Sequence, residues 1–151
     1  RDRAGRDQVP GSHSAQRAAL SSQRLVEVMA DRKRILVVED DESVRMLLVR
    51  QLSAEYEVYQ AAEAQSATAL LGTIRAPDLI LCDVMMPGMT GVQFAKQLKG
   101  MPAFKQVPII FLTARTGALD VIEGINAGAR HYITKPFNMN DLLEKVARAI
   151  K

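Results

Sequence analysis

The sequence has 151 residues, 48% of them hydrophobic and 25% charged, which suffices for one globular domain with a core but not for two of ordinary size. The net charge of +3 is uneven, because residues 1–34 carry eight basic and four acidic side chains whereas residues 35–151 carry 12 and 13. The near-neutral second part gives no support for direct nucleic-acid binding, and its apolar runs, which are only strand-sized, argue against membrane insertion. The single cysteine, Cys82, excludes an internal disulfide and favours a reducing, cytoplasmic setting.

Residues 1–31 differ in composition from the rest of the chain. Arg, Asp, Gly, Ser and Gln dominate as far as Gln23, and such a segment buries too little apolar surface to fold alone. It contains no apolar signal-peptide core. We therefore expect a disordered arm, a linker from a longer protein, or a leader in which residues 1–28 are not native and Met29 is the natural start. The folded domain is predicted to cover residues 32–151.

From Ile35 onward, short apolar runs alternate with segments of helical periodicity. The runs predict buried strands, and the apolar residues at helical spacing predict a helix after each strand. The predicted strands are 35–38, 56–59, 79–83, 109–112 and 131–134, and the predicted helices are 43–52, 62–74, 92–98, 117–127 and 139–150. Strict alternation favours right-handed crossovers and a parallel sheet covered on both faces. The predicted fold is a doubly wound α/β domain with a five-stranded parallel sheet, five helices and flavodoxin-like strand order.

The apolar stripes also indicate which side chains form the core. The first helix is expected to bury four of them, namely Val44, Leu47, Leu48 and Leu52. Cys82 is expected to pack as a small core hydrophobe. The methionines of the following loop are expected to fill loop and core, namely Met85, Met86 and Met89. Asn138 or Asn140 is the expected N-cap of the last helix.

The stretch from Leu79 to Gly91, LILCDVMMPGMTG, is the most informative part of the chain. It starts as an apolar run, places Asp83 where the run ends, and breaks into a loop at Pro87-Gly88 and again at Gly91. An unpaired buried carboxylate is costly, and ligands of open α/β sheets bind at the carboxyl ends of the strands. We therefore predict that Asp83 is a reactive carboxylate.

Other predicted strands end in residues that could assist Asp83, namely Glu39 and Asp40, Thr113 and Lys135. In a parallel sheet these strand ends lie along one edge, so we expect the side chains to converge. Carboxylate oxygens without His or Cys suit a hard divalent cation, and Mg²⁺ in particular. With Mg²⁺ bound, the charge of a phosphoryl group arriving at Asp83 would be shared among the metal, Lys135 and the Thr113 hydroxyl. Aspartate is a known nucleophile for such chemistry and forms an aspartyl phosphate.

Four motifs, ILVVEDDES, LILCDVMMPGMTG, FLTA and YITKPF, follow one another across residues 33–150. In this order and spacing they resemble the response-regulator receiver domain of two-component signalling. The resemblance implies that Asp83 is the phosphoacceptor. It further implies that Asp40 binds Mg²⁺ directly, that Glu39 binds it through water, and that Met85 offers it a backbone carbonyl.

The same resemblance implies a conformational switch. Thr113 matches the switch hydroxyl, Tyr132 matches the switch aromatic, and Lys135 matches the ion-pairing lysine of the family. The Lys135–Pro136 bond matches one that the family holds cis, and a bond before proline is the one context in which the cis form costs little.

The function implied is that of a phosphoacceptor receiver domain, which accepts a phosphoryl group from a histidine kinase or a phosphotransfer protein. It would not be an enzyme beyond self-catalysed phosphoryl acceptance and slow autodephosphorylation. The face formed by helix 117–127, strand 131–134 and helix 139–150 is expected to bind a downstream protein. Because the sequence ends at Lys151, we expect a single-domain regulator without DNA-binding output; the alternative is the C-terminal receiver of a hybrid histidine kinase.

Two other classes of function stay open. A Mg²⁺-dependent phosphohydrolase also uses an aspartate nucleophile at a strand end, but such enzymes place a second acid two residues later as general acid, where this chain has Met85. A receiver-shaped module that works by binding alone is the other alternative. The complete set of acids, Asp83, Thr113 and Lys135 argues against it.

Overall fold

The structure is a computed structural model that describes residues 17, 21–25, 31–114 and 129–150. Internal contacts divide the chain into two units, Arg1–Arg32 and Lys33–Lys151. In the first unit, residues 21–25 are helical and exposed, and most of the predicted arm lies outside the described residues. The fold described below is that of the second unit.

Five strands form one parallel sheet in the order β2-β1-β3-β4-β5, which confirms the flavodoxin-like prediction. They are β1 (Arg34–Val38), β2 (Glu57–Ala61), β3 (Leu79–Asp83), β4 (Ile109–Thr113) and β5 (Ala129–Thr134). The helices in the described part of this second unit are α1 (Glu42–Leu52), α2 (Ala64–Leu71), α3 (Gly91–Lys99) and α4 (Met139–Ile150). The predicted helix 117–127 lies outside the described residues.

Successive side chains of a strand point to opposite faces of the sheet, and this period divides the core in two. Leu36, Ile80 and Phe111 pack on one face with side chains from α2 and α3. Ile35, Leu81 and other alternate strand residues pack on the opposite face with α1 and α4. The sheet is therefore covered on both sides, as the apolar runs predict.

The prediction for α1 was wrong at one position. Leu48 and Leu52 are fully buried and Val44 packs partly against them, but Leu47 is 45% exposed. Leu48 and Leu52 are four residues apart and share one face of the helix, whereas the position before Leu48 is turned about 100° away from it. The apolar residue at 47 is therefore outside the stripe that reaches the sheet.

The methionines after β3 are divided between the core and the surface of the loop. Met86 is buried, but Met85 is 47% and Met89 38% exposed, so only Met86 fills the core. Cys82 is buried as predicted, and burial is the main cause that raises the pKa of its thiol. Asn138 caps α4, because its side-chain oxygen accepts hydrogen bonds from the amides of residues 140 and 141 at 2.9 and 3.2 Å.

Within the part of the chain that the structure describes, no helix combines the length and the apolar character needed to cross a lipid bilayer.

Candidate functional site

The carboxylates predicted to converge do meet at the carboxyl edge of the sheet. Asp83 is the last residue of β3, and Glu39 and Asp40 follow the end of β1, the strand beside it. One carboxylate oxygen from each of these three residues lies within 4.8 Å of the other two. Parallel pairing of β1 with β3 brings the two strand ends together, because Val38 and Cys82 are register partners.

Burial of two of the three carboxylates raises the free-energy cost of their negative charge. Glu39 is 0% and Asp83 5% exposed, whereas Asp40 is exposed. Burial, a hydrogen bond with Asp40 and the charge of Glu39 raise the pKa of Asp83 to about 7, against the opposing effects of the Lys135 charge and the Met85 amide. Close carboxylates hold their negative charge more easily beside a cation. Three oxygen ligands without nitrogen or sulfur fit Mg²⁺, so the residues present suit the predicted metal.

Lys135 supplies the positive charge nearest to the acids in the described structure. Its Nζ donates to both carboxylate oxygens of Glu39, at 2.8 and 2.9 Å, and lies 3.4 Å from Oδ2 of Asp83. Partial burial works to lower the pKa of Lys135, but the hydrogen bonds and charges of Glu39 and Asp83 raise it. The backbone amide of Lys135 donates to the carbonyl of Thr113 at 2.9 Å, and the Lys135–Pro136 bond is cis as expected.

The loop between β1 and α1 holds the acids in place. The amide of Glu39 donates to the carbonyl of Ala61 at the end of β2, at 3.0 Å. Asp41 is the N-cap of α1, and its Oδ1 accepts from the amides of Ser43 and Val44 at 2.9 and 3.2 Å. The hydrogen bond from the Ser43 side chain is the largest of the causes that lower the pKa of Asp41. The acid pair at 39–40 thus lies between a strand contact and a helix cap.

Gly91 is a site residue that sequence reasoning treated only as a break in the loop. A Cβ at this position would lie 2.1 Å from the carbonyl oxygen of Asp83, and the Gly91 amide donates to the carbonyl of Val84 at 2.8 Å. The start of α3 therefore packs directly on the backbone of Asp83. The pattern Thr90-x-x-Gln93, which forms a capping box here, was the available signal that a helix starts at this glycine.

Thr113 and Tyr132 lie on neighbouring strands beside this site. Thr113 ends β4 and is buried, and it directly follows Leu112, the register partner of Asp83. Tyr132 on β5 is half-buried, with its ring centroid 5.5 Å from that of Phe111 and the ring planes 46° apart. The structure therefore brings together Glu39, Asp40, Asp83 and Lys135, with Thr113 on the strand next to Asp83.

The sequence of the chain matches a known protein family over most of its length. Residues 35–147 match the sequence model of the response regulator receiver domain. The chain is 40% identical over 119 residues to the uncharacterized transcriptional regulatory protein YrkP of Bacillus subtilis, a match that covers 78% of this chain and 49% of YrkP. The chain therefore spans about half the length of this relative.

Two solved structures share the fold and the sequence pattern. The chemotaxis response regulator CheY4 of Vibrio cholerae superimposes with a TM-score of 0.73 at 36% identity, covering 78% of this chain and 98% of CheY4. The receiver domain of a signal transduction histidine kinase from Syntrophus aciditrophicus gives 0.71 at 34% identity, covering 78% and 89%. Because the family match extends over most of the chain and includes every strand end of the site, this chain belongs to the response regulator receiver domain family.

Proposed function

We propose that residues 32–151 form a phosphoacceptor receiver domain, which takes a phosphoryl group on Asp83 from a histidine kinase or a phosphotransfer protein. The observation that carries this proposal is the meeting of three carboxylates and one lysine around a buried strand-end aspartate. An aspartate in such a position can act as a nucleophile toward phosphorus. Residues 1–31 would serve as an arm or linker outside the domain.

Mg²⁺ would be held by the carboxylates of Asp40 and Asp83 and the backbone carbonyl of Met85, with Glu39 acting through water. When bound, it would neutralise charge on the transferred group, which is much of what phosphoryl transfer requires. The bidentate hold of Lys135 on Glu39 supports an indirect role for this acid, because both of its oxygens already accept hydrogen bonds.

In the proposed transfer, an oxygen of Asp83 attacks the phosphorus of a phosphohistidine on the donor. The phosphorus–nitrogen bond breaks, the donor imidazole leaves, and an aspartyl phosphate forms. Lys135, whose Nζ lies 3.4 Å from Oδ2 of Asp83, is placed to pair with the new negative charge. The hydroxyl of Thr113 is proposed to donate a hydrogen bond to the same group.

The proposed output is a change in a protein-binding surface. Thr113 would move toward the phosphoryl group and Tyr132 would turn inward, altering the face of residues 117–127, β5 and α4. The near-neutral charge of residues 35–151 gives no support for direct nucleic-acid contact by this domain. We propose instead that its target is a protein partner in the cytoplasm. That partner would be a separate target of a single-domain regulator or, in a hybrid histidine kinase, a phosphotransfer domain.

Incubation with acetyl phosphate and Mg²⁺, followed by intact-mass measurement, tests the proposal. We expect the wild-type chain to gain the mass of one phosphoryl group, with peptide mapping locating it at Asp83. The Asp83→Asn variant should gain none, and the Glu55→Gln variant, altered at an exposed acid on the loop after α1, should behave as wild type. Multiple-turnover hydrolysis without accumulation would instead indicate a phosphohydrolase, and no reaction would indicate a module that works by binding alone.

A further inference from the structure

Arg45, in the first half of α1, makes two contacts that leave its own helix. Its Nη1 donates to the main-chain carbonyl of Glu39 at 2.9 Å, and its Nε donates to Oε1 of Gln60 on β2 at 3.2 Å. Its backbone amide donates to the carbonyl of Asp41 at 2.9 Å. One side chain thus ties α1, the acid-bearing loop and the edge strand β2 together.

The carbonyl that Arg45 holds belongs to the peptide bond joining Glu39 to Asp40. The amide of Glu39 already donates to Ala61, and both of its carboxylate oxygens accept from Lys135. The hydrogen bond from Arg45 therefore restrains the remaining polar group of this residue, its carbonyl. Asp40 is exposed, and its direction depends on the orientation of the peptide before it. A planar guanidinium with two donors in use restrains that orientation better than a single donor could.

We infer that Arg45 is a positioning residue for the metal-holding acids, which strengthens Mg²⁺ binding by fixing the peptide between Glu39 and Asp40. Ligands held in the binding geometry before the cation arrives lose less conformational freedom when it binds. This inference rests on the proposed function, because it takes the acids to be magnesium ligands. It assigns to Arg45 no contact with the cation or the phosphoryl group.

The direction in which the Mg²⁺ affinity changes when Arg45 is removed distinguishes a positioning role from a purely electrostatic one. Arg45 is a cation beside an acidic cluster, so through Coulomb repulsion alone its removal would strengthen Mg²⁺ binding. Through positioning, its removal would weaken Mg²⁺ binding. A role limited to folding would lower thermal stability and leave the affinity of the folded protein unchanged.

The test compares Arg45→Met with Arg50→Met, a matched change at an exposed arginine in the last turn of the same helix. Isothermal titration measures the dissociation constant for Mg²⁺, and thermal melting in EDTA measures stability. We expect Arg45→Met to raise the dissociation constant by about tenfold, and Arg50→Met to leave it within a factor of about two of wild type. Arg45→Lys, which keeps the charge but has no planar fork, should give an intermediate value.

A second readout is the acetyl phosphate reaction. We expect Arg45→Met to need more Mg²⁺ for the half-maximal rate while reaching the wild-type rate at saturating Mg²⁺. An unchanged or lower dissociation constant in Arg45→Met overturns the inference. If that variant does not fold, Gln60→Leu decides, since a raised dissociation constant there supports the inference and an unchanged one overturns it. Absence of Mg²⁺ binding in the wild type would overturn the proposed metal site as well, so the two failures are distinguishable.

Discussion

The contacts of Lys135 show how the burial of two acids determines which of them a single ammonium group pairs with more closely. Its ammonium group lies 2.8 Å from Glu39 but 3.4 Å from Asp83, and Glu39 is the more buried of the two acids. A buried carboxylate without a partner is strongly destabilising, so the lysine is most needed at Glu39. Lys135 therefore pairs first with the buried carboxylate of Glu39 and only then with Asp83, the proposed phosphoacceptor.

Replacing Lys135 by an uncharged residue should destabilise the protein unless Glu39 is also replaced by an uncharged residue. We expect Lys135→Met to lower the free energy of unfolding by about 3 kcal/mol, because it leaves a buried carboxylate unpaired. The double variant with Glu39→Gln should recover more than half of that loss. Urea unfolding in EDTA measures the cycle.

The control for this cycle is Arg148→Met, which breaks the exposed pair of Arg148 with Glu144 on α4. It should change stability by less than about 1 kcal/mol. Additive losses in the double variant of Lys135 and Glu39 would contradict the proposed coupling between them.

At the scale of the elements, Gly91 allows the start of α3 to pack directly on the backbone at the end of β3. Helix α3 begins against the carbonyl of Asp83, in a space that no Cβ can enter without movement of backbone. Gly91→Ala should therefore destabilise the protein by about 2 kcal/mol or more and slow phosphorylation of Asp83 by acetyl phosphate. Chemical denaturation and intact-mass kinetics are the measurements.

Gly100→Ala is the matched control at the other end of α3. Its φ of −77° suits alanine, and a Cβ there would be 3.5 Å from the nearest carbonyl oxygen. We expect a change within about 0.5 kcal/mol. If both alanine variants were equally stable, the close approach of α3 to Asp83 would be refuted.

The edge strand β2 is joined to β1 by a pH-dependent cluster. Arg34 and Glu57 are register partners, with Nε of Arg34 3.0 Å from Oε2 of Glu57, and the Tyr59 hydroxyl donates to Oε1 of Glu57 at 2.7 Å. The hydrogen bond from Tyr59, followed by the one from Arg34, lowers the pKa of Glu57. The folded protein thus favours the ionised form of this acid.

This shift predicts a stability difference with a defined sign. A lowered folded-state pKa adds stability above the unfolded value of about 4.3 and loses it as the pH falls through the folded value. Wild type should therefore exceed Glu57→Gln in stability at pH 6 to 7 by up to about 1 kcal/mol, and the difference should shrink below about pH 4. Urea unfolding across this pH range measures the difference. A difference in stability that grew on acidification would contradict the lowered pKa of Glu57.

At the scale of the whole molecule, the acidic site should couple metal binding to folding. A cation that binds only the folded state stabilises it by about 2.7 kcal/mol at 100 times its dissociation constant. We expect thermal melting of wild type to shift upward with Mg²⁺. Asp40→Asn should be at least as stable as wild type in EDTA, because it removes a neighbouring negative charge, and should gain little from Mg²⁺.

Glu55→Gln is the control, since this exposed acid lies outside the cluster. It should respond to Mg²⁺ as wild type does. An Asp40→Asn variant with the full Mg²⁺ shift would remove Asp40 from the proposed ligand set.

Local patterns were sufficient for most of the architecture. Within residues 33–151, apolar runs and helical spacing predicted every described strand and helix to within a few residues, because periodicity and burial depend on the order of neighbouring residues. The carboxyl ends of parallel strands share one edge, so the meeting of Asp83 with Glu39 and Asp40 also followed from the sequence. Helix 117–127 lies outside the described residues and stays a prediction.

What the sequence determined by itself was the parallel sheet and the acids at its edge, since these depend on periodicity and on the handedness of crossovers. The strand order was predicted only as the simplest one for this class of fold. Only the tertiary structure decided that Leu47 faces outward, that Gly91 must admit the Asp83 carbonyl, and that Lys135 and Arg45 both hold Glu39. Each of these depends on a distance between different elements of the fold, and for Lys135 and Glu39 between residues 96 apart in the chain. Such distances arise from how helices pack on the sheet, which no local pattern encodes.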